Sequence, residues 1–203
     1  MKALILVDLQ NDFFPGGALE VKGGDRILFA INELLKMSFD LVVATKDWHP
    51  KGHISFASTH HKKPGEMIEV RGVPQILWRD HCVQGTQGSE FAPGWPSERV
   101  NEVFLKGTSH DIDSYSTFFD NGHLKSTGLE DYLRKNQIDT IYLAGLTTEY
   151  CVAYSALDAL ELGFKVYVVE EGCCGVELHP GDSQRAIEKM KKAGVKFFSI
   201  TNS

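Results

Sequence analysis

The stretch DTIYLAGLTTEYCV, residues 139–152, combines an apolar run with a turn and a cysteine. Residues 141–144 have the length and composition of a buried strand, and Gly145 interrupts the run. After the turn, the pattern predicts that Cys151 enters a new helix. The first N–H groups of a helix lack intrahelical partners and its dipole is positive there, so we expect a lowered pKa for this thiol. The alternative, a buried thiol that serves only packing, stays open on this stretch alone.

Further apolar runs of strand length flank this stretch, at residues 3–7, 41–44, 103–105, 165–169 and 196–200. Helices are predicted between them, over residues 27–35, 129–136, 151–162 and 182–193, with Asp25 and a Thr127–Glu130 capping box as start signals. Strands that alternate with helices favour a parallel sheet with right-handed crossovers. We therefore predict an α/β fold, a three-layer doubly wound six-stranded parallel sheet with helices on both faces.

Residues from about 47 to 100 show no long periodic pattern and hold most of the prolines, at positions 50, 64, 74, 93 and 96. Long irregular segments in a domain of this kind usually carry function. We expect residues 1–203 to form a single domain with an insertion at about 47–100 that binds metal and substrate.

The composition of the 203-residue chain limits the classes of partner. Its formal net charge of -6 argues against nucleic acid or an anionic membrane as the partner. The longest apolar runs are too short for a membrane span or for the core of a signal peptide. The four cysteines form no C-x-x-C pair, which is typical of reduced thiols. We expect a cytoplasmic protein.

Reactive or ligating side chains follow the first four predicted strands, namely Asp8, Asp47, Lys106 and Cys151. Taken singly, Asp8 is typical of a turn and Lys106 of a solvated surface. In a parallel sheet, however, the carboxyl ends of the strands share one edge, where ligands bind. The convergence predicts one pocket that holds a carboxylate, an ammonium group and a thiol.

These groups have complementary roles in acyl transfer. Asp8 can accept the thiol proton of Cys151 and later protonate a leaving group. Lys106 can keep Asp8 ionised and favour the thiolate. Backbone N–H groups of the turn at residues 146–148 can stabilise an oxyanion.

A second group of residues has the types that ligate metals. In Asp47-x-His49, side chains two apart in an extended segment face the same side, and His53 and His81 follow nearby. Histidines with a carboxylate suit one divalent transition metal ion, such as Zn, Fe or Mn. Solvated surface histidines are the alternative for so short a motif.

Six segments of the chain resemble, in the same order, motifs of the nicotinamidases, or pyrazinamidases, of the isochorismatase-like hydrolase superfamily. They are VDLQNDF (7–13), DWHPKGHISFAS (47–58), LWRDHCVQGT (77–86), VFLKG (103–107), DSYSTFFDN (113–121) and GLTTEYCV (145–152). The resemblance implies hydrolysis of nicotinamide to nicotinate and ammonia in NAD salvage, and of pyrazinamide to pyrazinoate. It also implies the strand order 3-2-1-4-5-6 and a metal ion, with Zn as the first choice.

The resemblance assigns site residues position by position. It implies a catalytic triad of Asp8, Lys106 and Cys151, and metal ligands Asp47, His49 and His81, with His53 as a ligand in some members. Aromatic walls of the pyridine pocket are implied at Phe13 and Trp78, with Tyr115 and Tyr150 as neighbours. A cis peptide is implied between Leu146 and Thr147, and the N–H groups of Thr147 and Cys151 would form the oxyanion hole.

Thr147 departs from the family pattern, which usually has alanine there. The backbone N–H survives this change, whereas the added hydroxyl and methyl groups put the substrate range in question. Another amide hydrolase of the superfamily, acting on a carbamoyl or ureido compound, is the alternative within the enzyme class, and a thiol- or metal-dependent ligand sensor is the alternative outside it. The sequence leaves a homo-oligomer open.

Overall fold

A computed structural model describes residues 1–202, in which parallel strands form a central sheet. Its strands are β1 (Lys2–Val7), β2 (Leu41–Asp47), β5 (Glu102–Lys106), β6 (Thr140–Leu146), β7 (Lys165–Cys174) and β8 (Lys196–Phe198). An antiparallel hairpin of β3 (Met67–Val70) and β4 (Val73–Ile76) lies apart from it. The order across the sheet is β5-β2-β1-β6-β7-β8. Numbered by position among the sheet strands, this is 3-2-1-4-5-6, so the predicted topology is confirmed.

Helices cover both faces of the sheet, which makes the predicted three layers. The helices are α1 (Ile27–Leu34), α2 (Leu129–Lys135), α3 (Ala153–Glu161) and α4 (Asp182–Ala193). On β1, Leu4 and Leu6 pack in the cluster that contains α1. The alternate residues Ala3, Ile5 and Val7 pack with the other three helices. Because both faces are buried, the strand is apolar at every position rather than at every second one.

The predicted start signals of α1 and α2 are wrong in detail. A 3₁₀ turn, Gly24–Arg26, precedes α1, and within residues 1–202 no side chain caps α1, so Asp25 does not cap it. Before α2, the Thr127 hydroxyl accepts the N–H of Leu129 at 3.2 Å, but Gly128 holds the N-cap position and no reciprocal box forms in the described chain. Left-handed backbone at Gly128 (φ +87°) makes the turn instead.

The predicted helix at Cys151 begins differently from the expectation. Thr148–Val152 form a π-helical turn, and the α-helix α3 starts only at Ala153. Single π turns of this kind are frequent at functional sites. The sequence pattern cannot distinguish a π turn from an α turn over so few residues.

The segment predicted as an insertion contains the β3–β4 hairpin, which sequence patterns did not indicate because its strands are four residues long and include Pro74. Isolated bridges hold the segment together, between Trp78 and Phe56 and between Val83 and His49, and a further bridge joins Phe91 to Gln10 in the loop after β1. Across residues 1–202, none of the helices has the length and apolar character needed to cross a membrane.

Candidate active site and metal centre

The carboxyl ends of four neighbouring strands deliver the candidate site. Asp8 follows β1 with a left-handed backbone (φ +51°), and its side chain is fully buried. In the next two strands of the sheet, Asp47 and Lys106 are the last residues of β2 and β5 and lie directly opposite each other. Cys151 arrives in the π turn after β6. The structure therefore brings these predicted residues to one edge.

The ammonium group of Lys106 lies at the centre of this edge. Its Nζ is 2.9 Å from Asp8 Oδ2 and 2.5 Å from Asp47 Oδ1. The same nitrogen is 3.3 Å from Cys151 Sγ and donates to Ser114 O at 3.1 Å. One carboxylate oxygen of Asp8, one of Asp47 and the Cys151 sulfur all lie within 4.8 Å of one another. A proton can therefore pass between the thiol and the Asp8 carboxylate without large motion.

Burial and charge set the protonation of these groups. Burial opposes the charged form of Lys106, but the carboxylates of Asp47 and Asp8 outweigh it and raise the pKa of the amine well above its usual value. Burial also opposes ionisation of Asp47, yet Lys106 and His49 lower the pKa of this carboxyl well below normal. For Asp8, burial dominates and raises the pKa. A carboxylate with a raised pKa is a better proton acceptor.

The thiol of Cys151 does not have the lowered pKa expected from its position after the turn. Burial raises its pKa well above the usual value, and the nearby Lys106 ammonium opposes this only in part. The expectation rested on a helix N-terminus, and the residue lies inside a π turn in a buried cleft instead. The surroundings therefore favour the protonated thiol, so a reaction at this sulfur would need a group that accepts its proton.

Asp47, His49 and His81 form a compact group with metal-ligand chemistry. Asp47 Oδ2 lies 3.3 Å from His49 Nε2 and 3.4 Å from His81 Nε2. On the far side of each ring, Nδ1 of His49 lies 3.0 Å from Gly107 O, and Nδ1 of His81 lies 2.7 Å from Arg79 O. A carbonyl acceptor keeps the proton on Nδ1, so the Nε2 lone pairs face the carboxylate. These donors fit one divalent transition metal ion.

His53 lies beside this group. Its ring stacks on that of His49 with centroids 4.2 Å apart. Its Nδ1 lies 2.7 Å from Ser55 Oγ, and its Nε2 lies 3.2 Å from the carbonyl oxygen of Ile112. Burial, with the neighbouring His49, lowers the pKa of His53 to about 4. Both ring nitrogens thus have protein partners, and potential ligand atoms of His49, His53 and Asp113 also lie within 4.8 Å of one another.

A cleft lies between the metal-ligand group and the thiol. Its lining residues include the four predicted aromatics and both predicted oxyanion residues: Phe13, Trp78, Tyr115, Thr147, Tyr150 and Cys151. The indole of Trp78 packs edge-on against Tyr150 with centroids 4.8 Å apart, and its Nε1 donates to the Tyr115 hydroxyl at 3.1 Å. Phe13 packs edge-on against His81 at 5.6 Å. The walls suit a flat ring.

The peptide bond between Leu146 and Thr147 is cis, as the family resemblance implied. The π turn follows directly, and both Thr147 and Cys151 line the cleft. The Thr147 side chain, which replaces the usual alanine, is almost fully buried there.

Two buried residues of the site were missed by sequence reasoning. Asp113 lines the cleft, and its Oδ1 lies 4.0 Å from His49 Nε2. Gln75, on β4, donates to Asp113 Oδ2 and to the Tyr115 hydroxyl, both at 3.1 Å. Asp113 begins the DSYSTFFDN motif and could have been noticed there. Gln75 had no signal, because only the hairpin brings it to the cleft.

Comparisons with known proteins extend over nearly the whole chain. The family model described as the isochorismatase domain matches residues 2–202. A nicotinamidase of Escherichia coli (strain K12) is 44% identical, over 99% of this chain and 96% of the relative. Among solved structures, the nicotinamidase/pyrazinamidase of Acinetobacter baumanii has a TM-score of 0.95 at 44% identity and covers 99% of this chain and 97% of its own. The pyrazinamidase of Pyrococcus horikoshii in complex with zinc has a TM-score of 0.79 at 39% identity, covering 98% and 99%.

Proposed function

The chain belongs to the isochorismatase family, and we propose that it is a nicotinamidase, which hydrolyses nicotinamide to nicotinate and ammonia. The observation that carries the proposal is the position of the Cys151 thiol, 3.3 Å from the Lys106 ammonium and within 4.8 Å of an Asp8 oxygen, in an aromatic cleft. Relatives that are nicotinamidases or pyrazinamidases support the substrate class, and we extend the proposal to pyrazinamide.

In the proposed first half-reaction, Asp8 takes the thiol proton of Cys151 as the sulfur attacks the carboxamide carbon. A C–S bond forms, and the oxygen gains negative charge that the N–H groups of Thr147 and Cys151 stabilise. Lys106 stays protonated beside the sulfur and offsets that charge. When the C–N bond breaks, Asp8 returns the proton to the nitrogen, and ammonia leaves a thioester on Cys151.

In the second half-reaction, water attacks the thioester carbon while Asp8 accepts one of its protons. The C–S bond then breaks, the sulfur regains the proton, and the carboxylic acid leaves. The same carboxylate serves as base and acid in both halves, which a raised pKa favours. Asp8 is the only group that carries protons in this scheme, because Lys106 acts through its positive charge.

We propose that Asp47, His49 and His81 hold one zinc ion, with His53 as a neighbour of the site. Their converging donor atoms support a metal, and the zinc complex of a related pyrazinamidase supports the choice of element. A bound zinc ion supplies Lewis-acid chemistry, which polarises a ligand atom or acidifies bound water. Phe13, Trp78, Tyr115 and Tyr150 would flank the substrate ring and orient its carboxamide toward Cys151.

Ammonia release tests the proposal directly. We expect turnover of nicotinamide and pyrazinamide, loss of activity on chelation and recovery when zinc is added back. Carbamoyl and ureido compounds and aliphatic amides serve as comparison substrates. Higher kcat/KM on those compounds than on nicotinamide would favour a different amide hydrolase of the superfamily. Binding of nicotinamide without ammonia release would favour the ligand sensor.

The covalent scheme is tested by Cys151→Ala. Removal of a nucleophile typically lowers kcat by roughly four orders of magnitude or more. We expect that loss in ammonia release, with nicotinamide binding retained in calorimetry. Cys173→Ala, which changes a thiol outside the cleft, is the matched control and should keep wild-type turnover. A Cys151→Ala enzyme with a tenth of the wild-type rate would contradict the thioester.

A further inference from the structure

We propose that Gln10 and Asp12 are positioning residues that set the affinity of the metal site, by holding the backbone of the segments that present its ligands. The inference rests on the proposed metal-dependent function and concerns two side chains that do not themselves offer a ligand atom to the group of Asp47, His49 and His81. Both belong to the loop after β1, which also carries Asp8 and Phe13.

The Gln10 side chain forms two hydrogen bonds with the backbone of Asp47. Its Oε1 accepts the Asp47 N–H at 2.8 Å, and its Nε2 donates to the Asp47 carbonyl oxygen at 2.7 Å. The same Nε2 donates to Ser89 O at 2.9 Å. The side chain is fully buried, so water does not compete for these bonds. The paired bonds hold the peptide units on both sides of the Asp47 α-carbon.

Asp12 holds the backbone that connects the two histidines. Its Oδ2 accepts the N–H of Cys82 at 2.7 Å, and the Cys82 carbonyl oxygen accepts the N–H of His49 at 3.0 Å. Cys82 directly follows His81 and has a left-handed backbone (φ +46°), a conformation that costs energy in a residue with a side chain. A charge-assisted bond to Asp12 offsets that cost.

The neighbours of Asp12 are arranged around its carboxylate. A Cβ atom at Gly88 would lie 2.2 Å from Asp12 Oδ2, so a side chain at that position would displace the carboxylate. The other oxygen, Oδ1, accepts the N–H of Ala18 at 3.1 Å. The loop is thus packed closely on a charged group that the proposed chemical steps do not use, which is explained if the group orients His81 and His49.

Ligands held in place before binding lose less conformational freedom when the metal arrives. Loss of the groups that orient metal ligands typically weakens metal affinity by about 10- to 100-fold. Asp12→Ala removes the bond to Cys82. Gln10→Glu keeps an acceptor for the Asp47 N–H but turns a carboxylate oxygen toward the carbonyl oxygens of Asp47 and Ser89. We expect both variants to bind zinc roughly 10- to 100-fold more weakly.

The experiment measures the affinity of the metal-free protein for zinc by competition with a chromophoric chelator, so it needs no substrate. Asn11→Ala is the matched control, because Asn11 lies between the two residues and donates to Gln87 O at 2.8 Å without contacting a ligand segment. The control should bind zinc as the wild type does. Excess zinc should restore kcat in Asp12→Ala and Gln10→Glu, which a collapsed site would not allow.

Zinc binding by Asp12→Ala and Gln10→Glu within about threefold of the control would overturn the inference, since orienting groups normally contribute at least tenfold. Equal weakening in Asn11→Ala would also overturn it, because the effect would then follow from loosening of the whole loop. Asp12→Asn, which keeps the shape and one acceptor, provides a variant that folds if the alanine variant does not, and it should show an intermediate loss. A wild-type protein that binds zinc but fails to hydrolyse nicotinamide would refute the proposed function and leave this test intact.

Discussion

Thr147 stands where the family motif that this chain resembles usually has alanine, and it lines the cleft beside Cys151. Its backbone N–H serves the oxyanion in our proposal whatever the side chain, whereas the side chain limits the space next to the reacting carboxamide. The residue should therefore influence which amides fit more than how fast nicotinamide reacts.

Replacing Thr147 with alanine should widen the substrate range. One buried methylene changes discrimination by about 1–3 kcal/mol, so we expect kcat/KM for methyl-substituted nicotinamides to rise about tenfold in Thr147→Ala. For nicotinamide itself kcat/KM should stay within about threefold, because the backbone donor is retained. Thr147→Val, which keeps the shape but loses the hydroxyl, is the control and should resemble the wild type. An equal gain in both variants would mean that the hydroxyl matters, not the width.

The buried carboxyl group of Glu149 should make the stability of the protein depend on pH. Its Oε1 accepts the N–H of Glu177 at 2.7 Å, and burial raises the pKa of the carboxyl group. A raised pKa means that the folded protein prefers the neutral acid. Stability from this group is therefore complete below the unfolded pKa, ordinarily near 4.5, and is lost as the pH rises through the folded pKa.

Glu149→Gln replaces the ionisable carboxyl with a neutral amide, so the stability is no longer lost as the pH rises. The amide oxygen can still accept the N–H of Glu177. We expect a higher Tm than the wild type at pH 7–8 and a difference that shrinks toward pH 4, measured by thermal unfolding across the pH range. Glu98→Gln, at an exposed carboxylate, should follow the wild-type curve. If the Tm of Glu149→Gln relative to that of the wild type fell between pH 4 and pH 8, the raised pKa of Glu149 would be contradicted.

At the scale of elements, β6 ends in a close approach to β1 that only glycine permits. Gly145 has φ +137°, and a Cβ there would lie 2.1 Å from the Val7 carbonyl oxygen. The register of β6 against β7 shifts at this point, where Gly145 pairs with Cys173. The close approach positions the turn that carries Thr147 and Cys151 over the end of β1, next to Asp8.

Gly145→Ala should combine backbone strain with a steric clash. Strain at such a φ costs about 1–3 kcal/mol, and forced overpacking adds about 1–3 kcal/mol, so we expect a loss of roughly 2–6 kcal/mol in the free energy of unfolding. Gly163→Ala is the control, because Gly163 also has a positive φ of +84° but no described atom within 4 Å of its would-be Cβ. It should lose only about 1–2 kcal/mol, the cost of a left-handed backbone in a residue with a side chain. Urea denaturation measures both, and equal losses would refute the close-approach argument.

At the scale of the whole molecule, the group of Asp47, His49 and His81 brings together segments that are distant in sequence. Asp47 and His49 come from the end of β2, and His81 comes from the segment after the β3–β4 hairpin. Binding of a metal to these groups stabilises the folded state because the unfolded chain does not hold them together.

Zinc should therefore raise the Tm of the metal-free protein. Free zinc at 100 times its Kd would add about 2.7 kcal/mol of stability, and the Tm should depend on zinc concentration. Differential scanning fluorimetry of the metal-free protein with increasing zinc measures this. His81→Ala should abolish most of the shift, whereas His60→Ala, which changes a histidine outside the ligand group, should preserve it. A Tm that does not respond to zinc would contradict a metal centre at these residues.

Much of this architecture could be predicted from local patterns. The apolar run at residues 3–7 indicates a strand buried on both faces, and the residues that follow the strands indicate a shared edge. These signals depend on the composition and spacing of residues, which are visible in the sequence without knowledge of the fold. The family motifs added the strand order, the cis peptide and the roles of the site residues, and all of those roles remain proposals. The cytoplasmic location and the single domain also stay predictions.

The sequence by itself determined the layered α/β sheet, because burial on both faces requires apolar strands alternating with amphipathic helices. Only the tertiary structure decided the state of the thiol and the position of the supporting groups. The pKa of Cys151 depends on how deeply the cleft is buried, and burial proved stronger than the Lys106 charge. Gln75 reaches the cleft, and Gln10 and Asp12 reach the ligand segments, through contacts between residues 37 to 70 positions apart. Such contacts leave no local pattern, since they arise only when the strands and loops pack.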